Sequence, residues 1–520
     1  MSERNRGRRA FLRKSLLGSA AVMAACGSDE EPTPAPEPAP TPEPAAQAAQ
    51  QLPDGLDPRD FEVHGLEPLT LETRRDRFGT SVVTPASLFF VRNNLPLPPA
   101  SIVARPDDWE VTLEGVGEAR AVTVRELKQW GVATVATVVQ CSGNGRQFFE
   151  HETSGSQWGV GAAGCAVWSG VPLRTVVEKL GGAADAARFL TSTGGEELPE
   201  DVDRDEVVVE RSIPKAKALD DCILAWEMNG APIPITHGGP LRLIVPGFYG
   251  CNQIKYVKKL AFTEEETRAH IMRAGYRFRP IGESGSPDQP SMWTMAVKSW
   301  INGPSGRHPV AAGPLQVHGV AFSGGKGVAK VEVSTDGETW REAQLLGPDL
   351  GPYAWRQFTV PLEVELGEVT LYSRATDQEG AVQPELRVEN HRGYGHNGWR
   401  DLAVTFAVVE GPVILEEEEA AGLGIAQGPE PGSLELSEGE QAGRALFTAD
   451  AAPACGTCHT LSEAATTGSV GPNLNALAPS EERIATAITN GVGAMPAYGD
   501  RLTPEQIQQI AAYVRKVVAP

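Results

Sequence analysis

The pentapeptide CGTCH at residues 455–459 constrains its end of the 520-residue chain more tightly than any other feature. Cys455 and Cys458 stand one helical turn apart, and His459 follows at once. Two thiols at that spacing can form thioethers to both vinyl groups of a porphyrin, and the adjacent imidazole then faces the iron. The competing readings are a redox dithiol and half of a zinc site. No second C-x-x-C is present and no strand–helix–strand pattern surrounds this one, so both lack their usual context. The motif predicts one covalent haem c, with His459 on the iron.

The downstream stretches GPNLNAL and GVGAMPAYG fit the same reading. The chain then ends on LTPEQIQQIAAYVRKVV, which predicts a helix with Thr503 as N-cap, Pro504 at the first position and Gln506 completing a capping box. Ile507, Ile510, Ala511, Val514 and Val517 form its apolar stripe. Residues 437–520 closely resemble class I cytochrome c, an all-α domain. That resemblance implies Met495 as the second iron ligand and Pro472 against the haem. His/Met ligation favours a fairly high reduction potential.

A haem c implies work outside the cytoplasm, and the N-terminus agrees. Residues 1–25 combine a basic region containing Arg8-Arg9 with a short apolar run, and Cys26 follows. RRAFLRK resembles a twin-arginine export signal and VMAAC a lipobox, which implies a lipid anchor on Cys26 and an outer-face or periplasmic location. An ordinary cleaved signal with an incidental cysteine is the plainer alternative. Prolines at every second position from Pro32 to Pro44 cannot bury a core, so residues 26–57 read as a stiff spacer. The net charge of −21 argues against a nucleic-acid partner and is compatible with a basic electron-transfer partner.

Between these ends two textures alternate. Residues 58–290 mix strand signals, such as the apolar runs 134–139 and 241–245, with helical ones, such as LRTVVEKLGG with Leu173, Val176, Val177 and Leu180 on one face. An α+β domain is predicted there. Residues 291–410 alternate in period two, with GGKG and TDGE as turns, and predict a β-sandwich of immunoglobulin type. Residues 411–436, with glutamates at 416–419, read as a solvated acidic linker.

One cysteine in the α+β region lies between a β-branched run and a glycine turn, in VVQCSGNGRQFF (138–149). Taken alone, Cys141 is open to four roles: nucleophile, disulfide partner, buried filler or metal ligand. Three further stretches bear on it, FFVRNNLPLP (89–98), HGGPLRLIVPGFYGCNQIKYVKKL (237–260) and IMRAGYRFRP (271–280). In this order and spacing the four resemble the sulfite oxidase family of molybdenum enzymes, over about residues 58–410. QWGVGAAGCAVWSGVPL and ERSIPKAKALD fit its bacterial sulfite dehydrogenases, the sandwich resembles its dimerisation domain, and NHRGYGHNGW its closing loop.

The resemblance implies that Cys141 binds molybdenum through its thiolate, as suits a soft, dithiolene-held metal. It implies Arg92, Arg146 and, from the second domain, Arg392 around an oxyanion, for which a guanidinium fork is suited. Tyr276 matches the family's active-site tyrosine. Asn93, His237, Arg242, Gln253 and Lys255 match positions that hold the molybdopterin and its phosphate, and Trp158 is either a pocket wall or core. Where many members read Arg-Asn-His, this chain has Arg92-Asn93-Asn94. Cys165, Cys222 and Cys251 read as buried free thiols.

The implied activity is oxidation of sulfite, or a similar small oxyanion, at a molybdenum–molybdopterin centre. Electrons then leave through the fused haem c to an external acceptor such as a soluble cytochrome c, and the sandwich makes a homodimer. Two rivals are a molybdopterin reductase of a sulfoxide or other oxyanion, and a tethered electron carrier whose large domain is inactive.

Overall fold

The computed structural model describes residues 52–518, apart from 54, 67, 152, 197, 199–203, 414–428, 452, 468–473, 478 and 491–496. The export signal, Cys26, the proline spacer, the glutamates 416–419, Pro472 and Met495 lie outside the described residues.

A small antiparallel sheet, Phe61–Leu66, Leu69–Thr73 and Val91–Arg92, opens the body. It ends in Arg92 and Asn93. The α+β part contains two larger sheets. In one, Ile223–Met228, Ala163–Pro172 and Ala133–Gln140 run antiparallel, and Arg242–Ile244 pairs with the first of these. The predicted runs 134–139 and 241–245 both fall on its strands. In the other, Lys259–Thr263 pairs in parallel with Glu110–Glu114 and antiparallel with Phe189–Thr193. The predicted helix spans Leu173–Lys179, burying Leu173, Val176 and Val177, and stops where Gly181 takes a positive φ of 81°. These elements share a core of Val, Leu and Ile around Trp109 and Tyr256.

The second body has two sheets. One orders Lys298–Gly303, Gly313–Phe322, Arg356–Val364 and Gln344–Leu346. The other runs from Val310–Ala311 through Val404–Val409, Gly367–Asp377 and Val328–Ser334 to Arg341–Glu342. Val404–Val409 alternates buried and exposed at every residue, the period-two signature of a strand with one wet face. The inward residues of both sheets share one core, with Val317, Phe358, Val331, Leu371 and Phe406 among them. A further core spans both bodies: Phe78, Val138 and Tyr249 pack with Trp300, Trp355, Tyr394 and Leu402. Trp300 and Trp355 meet edge to face at 6.4 Å. This joint holds the loop 389–402 against the α+β body.

The C-terminal body is helical, as Glu438–Ala445, Glu481–Asn490 and Pro504–Val518, with a two-stranded pair, Thr460–Leu461 and Thr466–Thr467, after the haem motif. It is therefore not purely α. Thr466 Oγ1 donates to the His459 carbonyl (2.9 Å) and accepts the Leu461 N–H (3.1 Å), which closes that small hairpin. The last helix has its expected capping box: Gln506 N–H donates to Thr503 Oγ1 (3.2 Å) and Thr503 N–H to Gln506 Oε1 (2.8 Å). All five stripe residues are buried. No described helix is long and apolar enough to cross a membrane.

Candidate active site

The Cys141 loop forms where strand pairing runs out. Gln140 is the last residue paired with Ala163, and the Cys141 N–H donates to the Ala162 carbonyl at 2.9 Å. Asn144 N–H then turns back to Cys141 O (3.0 Å) and Arg146 N–H to Gly143 O (2.9 Å). The Asn144 side chain fixes the turn from inside, donating to Gln140 Oε1 and accepting the Ala162 N–H. Gly145 has a φ of +99°, and a Cβ there would lie 2.5 Å from the His396 ring, so backbone and neighbour both require glycine. Cys141 is 8% exposed. Cys251 is close by, with the Ser142 hydroxyl donating to its sulfur at 3.4 Å. Burial raises the Cys251 thiol, with the Arg211 charge opposing and that of Cys141 adding.

Arg146 is 5% exposed and points back over the loop. Its Nε donates to the Arg392 carbonyl (3.0 Å) and a terminal nitrogen to Ser156 O (2.7 Å). Its guanidinium lies 5.4 Å from the Tyr394 ring centre, and that of Arg392 lies 5.8 Å from the same ring. Tyr394 stacks on Tyr276 at 5.4 Å and 21°. Burial pushes Tyr276 well above the ordinary phenol range; the Arg92 charge opposes this, and Tyr394, Cys141 and Cys251 add to it. Cys141, Arg92, Arg146, Arg392 and Tyr276 thus cluster around the Tyr276–Tyr394 stack, brought together from four separate stretches of chain. Arg92 donates to Asn94 Oδ1 at 3.0 Å, so the third residue of the Arg-Asn-Asn run steadies the guanidinium through a group that does not titrate.

A second cluster adjoins the first. Lys255 Nζ donates to Asn93 Oδ1 (2.9 Å) and Thr236 O (2.6 Å). Burial drives the lysine well below its ordinary value, with Arg242 and Arg92 adding to the fall and Glu196 opposing it. Arg242 is 4% exposed, donates to the His237 carbonyl (2.7 Å), and has a buried Nε without a partner. His237 lies within reach of the Ala86 carbonyl through Nε2 (2.8 Å), which assigns the proton to that nitrogen. Burial, then Lys255 and Arg242, holds its pKa down at about 3, so the ring is neutral. Gln253 anchors its nitrogen on Phe248 O, and its buried Oε1 has no partner. Buried cations crowded together, with an unpartnered donor on Arg242 and an unpartnered acceptor on Gln253, suit a group that is anionic and also offers hydrogen-bond donors, as a pterin with its phosphate does. Trp158 is fully buried against His64 and Phe90, which makes it a core residue.

In the C-terminal body Cys455–Thr457 forms a tight turn, and His459 N–H donates to Cys455 O at 3.0 Å. Both thiols are free. Two free thiols and an imidazole on one turn are the donor set that covalent haem needs. Burial raises Tyr498, with Cys455 and Cys458 adding, so its phenol belongs to the same pocket.

Several residues at the site carry no local sequence signal. Glu72, 6% exposed, accepts the N–H groups of Gly159 (3.0 Å) and Gly161 (2.8 Å) and meets His64 at 2.8 Å, pinning the segment that pairs with Cys141. Lys298, 1% exposed, donates to the Asn144 carbonyl at 3.1 Å from the second body. Asn390 brackets Tyr394, accepting its N–H (2.9 Å) and donating to its carbonyl (2.9 Å).

This site and fold define a molybdopterin-binding oxidoreductase carrying a c-type cytochrome domain. Residues 96–271 match the model of the oxidoreductase molybdopterin binding domain, residues 289–406 the Mo-co oxidoreductase dimerisation domain, and residues 439–514 the cytochrome c oxidase, cbb3-type, subunit III. The chain is 31% identical to mitochondrial sulfite oxidase of Rattus norvegicus over 66% of its own length and 65% of that protein's. It is 30% identical to sulfite oxidase of Gallus gallus over 68% of itself and 80% of that chain. It spans about two thirds of the mitochondrial relatives it matches. The fold matches the sulfane dehydrogenase SoxCD of Paracoccus pantotrophus with a TM-score of 0.57, 24% identity, and coverage of 74% of this chain and 96% of that one. The chain belongs to the sulfite oxidase family of molybdenum oxidoreductases. Its cofactors are a molybdenum–pterin group and haem c.

Proposed function

We propose that this enzyme oxidises sulfite to sulfate and passes the electrons through its own haem c to an external acceptor. One observation carries the reading: Cys141, three arginines and a tyrosine converge on one pocket in a chain that also has a haem-attachment turn. The molybdenum–pterin group would be held by Cys141 and by Asn93, His237, Arg242, Gln253 and Lys255, and would supply a two-electron acceptor and a transferable oxygen. Arg92 and Arg146 bind the oxyanion by charge-assisted hydrogen bonds, and Arg392 closes over it from the second body. Tyr276 stays protonated, because burial holds its phenol up, and so presents a donor to the bound anion. The neutral His237 leaves Arg242 and Lys255 to supply the positive charge for the phosphate. His459, and by resemblance Met495, ligate the haem iron.

The same reading includes export by the twin-arginine route, lipid attachment at Cys26, a location at the outer face of a bacterial membrane or in the periplasm, and a homodimer through an immunoglobulin-type sandwich. The dimerisation-domain match supports the last of these. The test is molybdenum analysis of the purified protein together with its haem spectrum on adding sulfite. Bound molybdenum and immediate haem reduction are expected. Molybdenum without haem reduction would replace sulfite oxidation with the reductase reading, and absence of molybdenum would leave an electron carrier.

A further inference from the structure

The stretch ERSIPKAKALD carries a charge that substrate and cofactor binding leave unused. Its arginine, Arg211, lies on the strand Glu210–Pro214 opposite Ser192 and is 1% exposed. Every hydrogen bond of its guanidinium goes to a neutral acceptor. Nε and one terminal nitrogen donate to Asn252 Oδ1 (3.3 and 3.1 Å), the same nitrogen to Ser291 Oγ (2.9 Å), and the other to the Ile271 carbonyl (2.8 Å). Among the described residues no carboxylate pairs with it. Glu266, the acid whose charge reaches it, is engaged by Arg277. Two buried arginines therefore stand beside Tyr276, and only Arg277 has a counter-ion. A guanidinium keeps its proton, so Arg211 is a permanent buried cation, which is costly to hold without a purpose.

That charge faces the residues around Cys141. The Arg211 guanidinium lies 5.6 Å from the Tyr276 ring centre. Its partner Asn252 follows Cys251, whose sulfur receives the hydroxyl of Ser142, the neighbour of Cys141. Tyr276 and Cys251 are each within electrostatic reach of Arg211 on one hand and of Cys141 on the other. A positive charge without a counter-ion stabilises the state of a nearby redox centre that has gained an electron, and so raises its reduction potential. The bonds of Arg211 have a second effect, because Tyr276 N–H donates to Ile271 O and Met292 N–H to Tyr276 O. Arg211 thus ties together the segments that flank the tyrosine. Charge and bonding are separable by substitution.

We propose that Arg211 is a positioning residue that acts through its charge: the unpaired guanidinium raises the reduction potential of the molybdenum centre and so favours withdrawal of electrons from the substrate. The seat of the metal at Cys141 rests on the functional reading above; the unpaired charge does not.

The test is a redox titration of the full holoenzyme without sulfite, with molybdenum followed by EPR and the haem by absorbance. Arg211→Met removes the charge and keeps the bulk. Arg211→Lys keeps the charge and loses the planar fork, and Ser291→Asp keeps the arginine and gives it a carboxylate. The molybdenum midpoint is expected to fall by about 59 mV in Arg211→Met, a tenfold shift of a one-electron equilibrium. Ser291→Asp should fall in the same direction, Arg211→Lys should stay near the wild type, and the haem midpoint should hold in every variant. A molybdenum midpoint that holds in either Arg211→Met or Ser291→Asp overturns the proposal. Equal falls in Arg211→Met and Arg211→Lys overturn it too, because the potential would then follow packing. If Arg211→Met unfolds early in a thermal scan, Arg211→Lys and Ser291→Asp carry the test, and a fall in the first without one in the second overturns it. In turnover, Arg211→Met should lower kcat about fivefold and leave KM for sulfite within about twofold, since Arg92 and Arg146 keep their places. The titration is read without turnover. A protein whose molybdenum midpoint responds in this way but oxidises no sulfite keeps this inference and loses the functional one; sulfite oxidation with an unresponsive midpoint does the reverse.

Discussion

Cys141 is presented by a turn whose residues leave little room for substitution. Gly145→Ala would put a Cβ into the His396 ring at a φ of +99°, a cost of about 1–3 kcal/mol. The melting temperature is expected to fall, and KM for sulfite to rise because Arg146 is the next residue. Thermal unfolding with and without sulfate separates the two effects. Tyr394 offers a sharper test of how the arginines are aimed. Its ring faces Arg146, Arg392 and Tyr276 at once. Tyr394→Leu removes that face, and with a cation–π contact worth about 1 kcal/mol the KM for sulfite should rise by about fivefold or more. Tyr394→Phe keeps the face and should stay near wild type in KM. Equal effects of Leu and Phe would assign the role to the hydroxyl instead. The sequence made Cys141, Arg92, Arg146 and Tyr276 legible only through resemblance, because an isolated cysteine or arginine carries no spacing signal. Tyr394 lies within NHRGYGHNGW without a spacing signal of its own. Its meaning lies in a ring and a guanidinium contributed from 118 and 248 positions away, at Tyr276 and Arg146.

The elements divide by how local their cause is. The helix Pro504–Val518 could be read to its capping box because cap, proline and apolar stripe all lie within one stretch of sequence. The closing loop could not be read in this way: its hold on the site runs through Arg146 Nε to Arg392 O and Gly395 N–H to Ser142 O, and the strand that begins at Lys298 adds Lys298 Nζ to Asn144 O, all between distant segments. That loop and its neighbouring strand also set a pH dependence. Within the loop, His396 is 2% exposed, bonded to Asp401 at 2.9 Å, and its Nδ1 is buried without a partner. Burial holds its pKa down at about 4. As pH falls from about 6.5 the unfolded chain takes up this proton first, so stability is lost until about 4 and levels off below. Lys298, held by burial at about 7, acts in the same direction at higher pH. Between about 7 and 10.5 the unfolded lysine still carries its proton, so stability rises across that window. Urea unfolding from pH 4.5 to 9.5 is expected to show both slopes. His396→Gln should flatten the acid slope and Lys298→Met the alkaline one. A variant with an unchanged slope removes that residue from the account.

At the scale of the whole molecule, the two redox modules belong to one polypeptide, and the chain carries a net charge of −21. These facts make opposite demands on the two electron transfers. The first, from the molybdenum pocket to the haem attached at Cys455 and Cys458, is intramolecular, and tethering sets an effective concentration that dilution cannot change. In the proposed function the second is an encounter with a separate acceptor, and an acidic surface attracts a basic one at a rate that salt screens. Stopped-flow mixing with saturating sulfite should therefore show haem reduction at one rate constant across about a hundredfold dilution of the protein and with little response to salt. Steady-state turnover with a basic cytochrome c as acceptor should fall steeply over the same salt range. A chain ending at residue 410 should lose that turnover yet still oxidise sulfite with a small artificial oxidant, because every residue assigned to the molybdenum pocket precedes that point. Haem reduction that slows in proportion to dilution would mean that the haem is served by other molecules. The cytochrome module would then be a docking partner that happens to be fused, and the acidic surface would govern both steps.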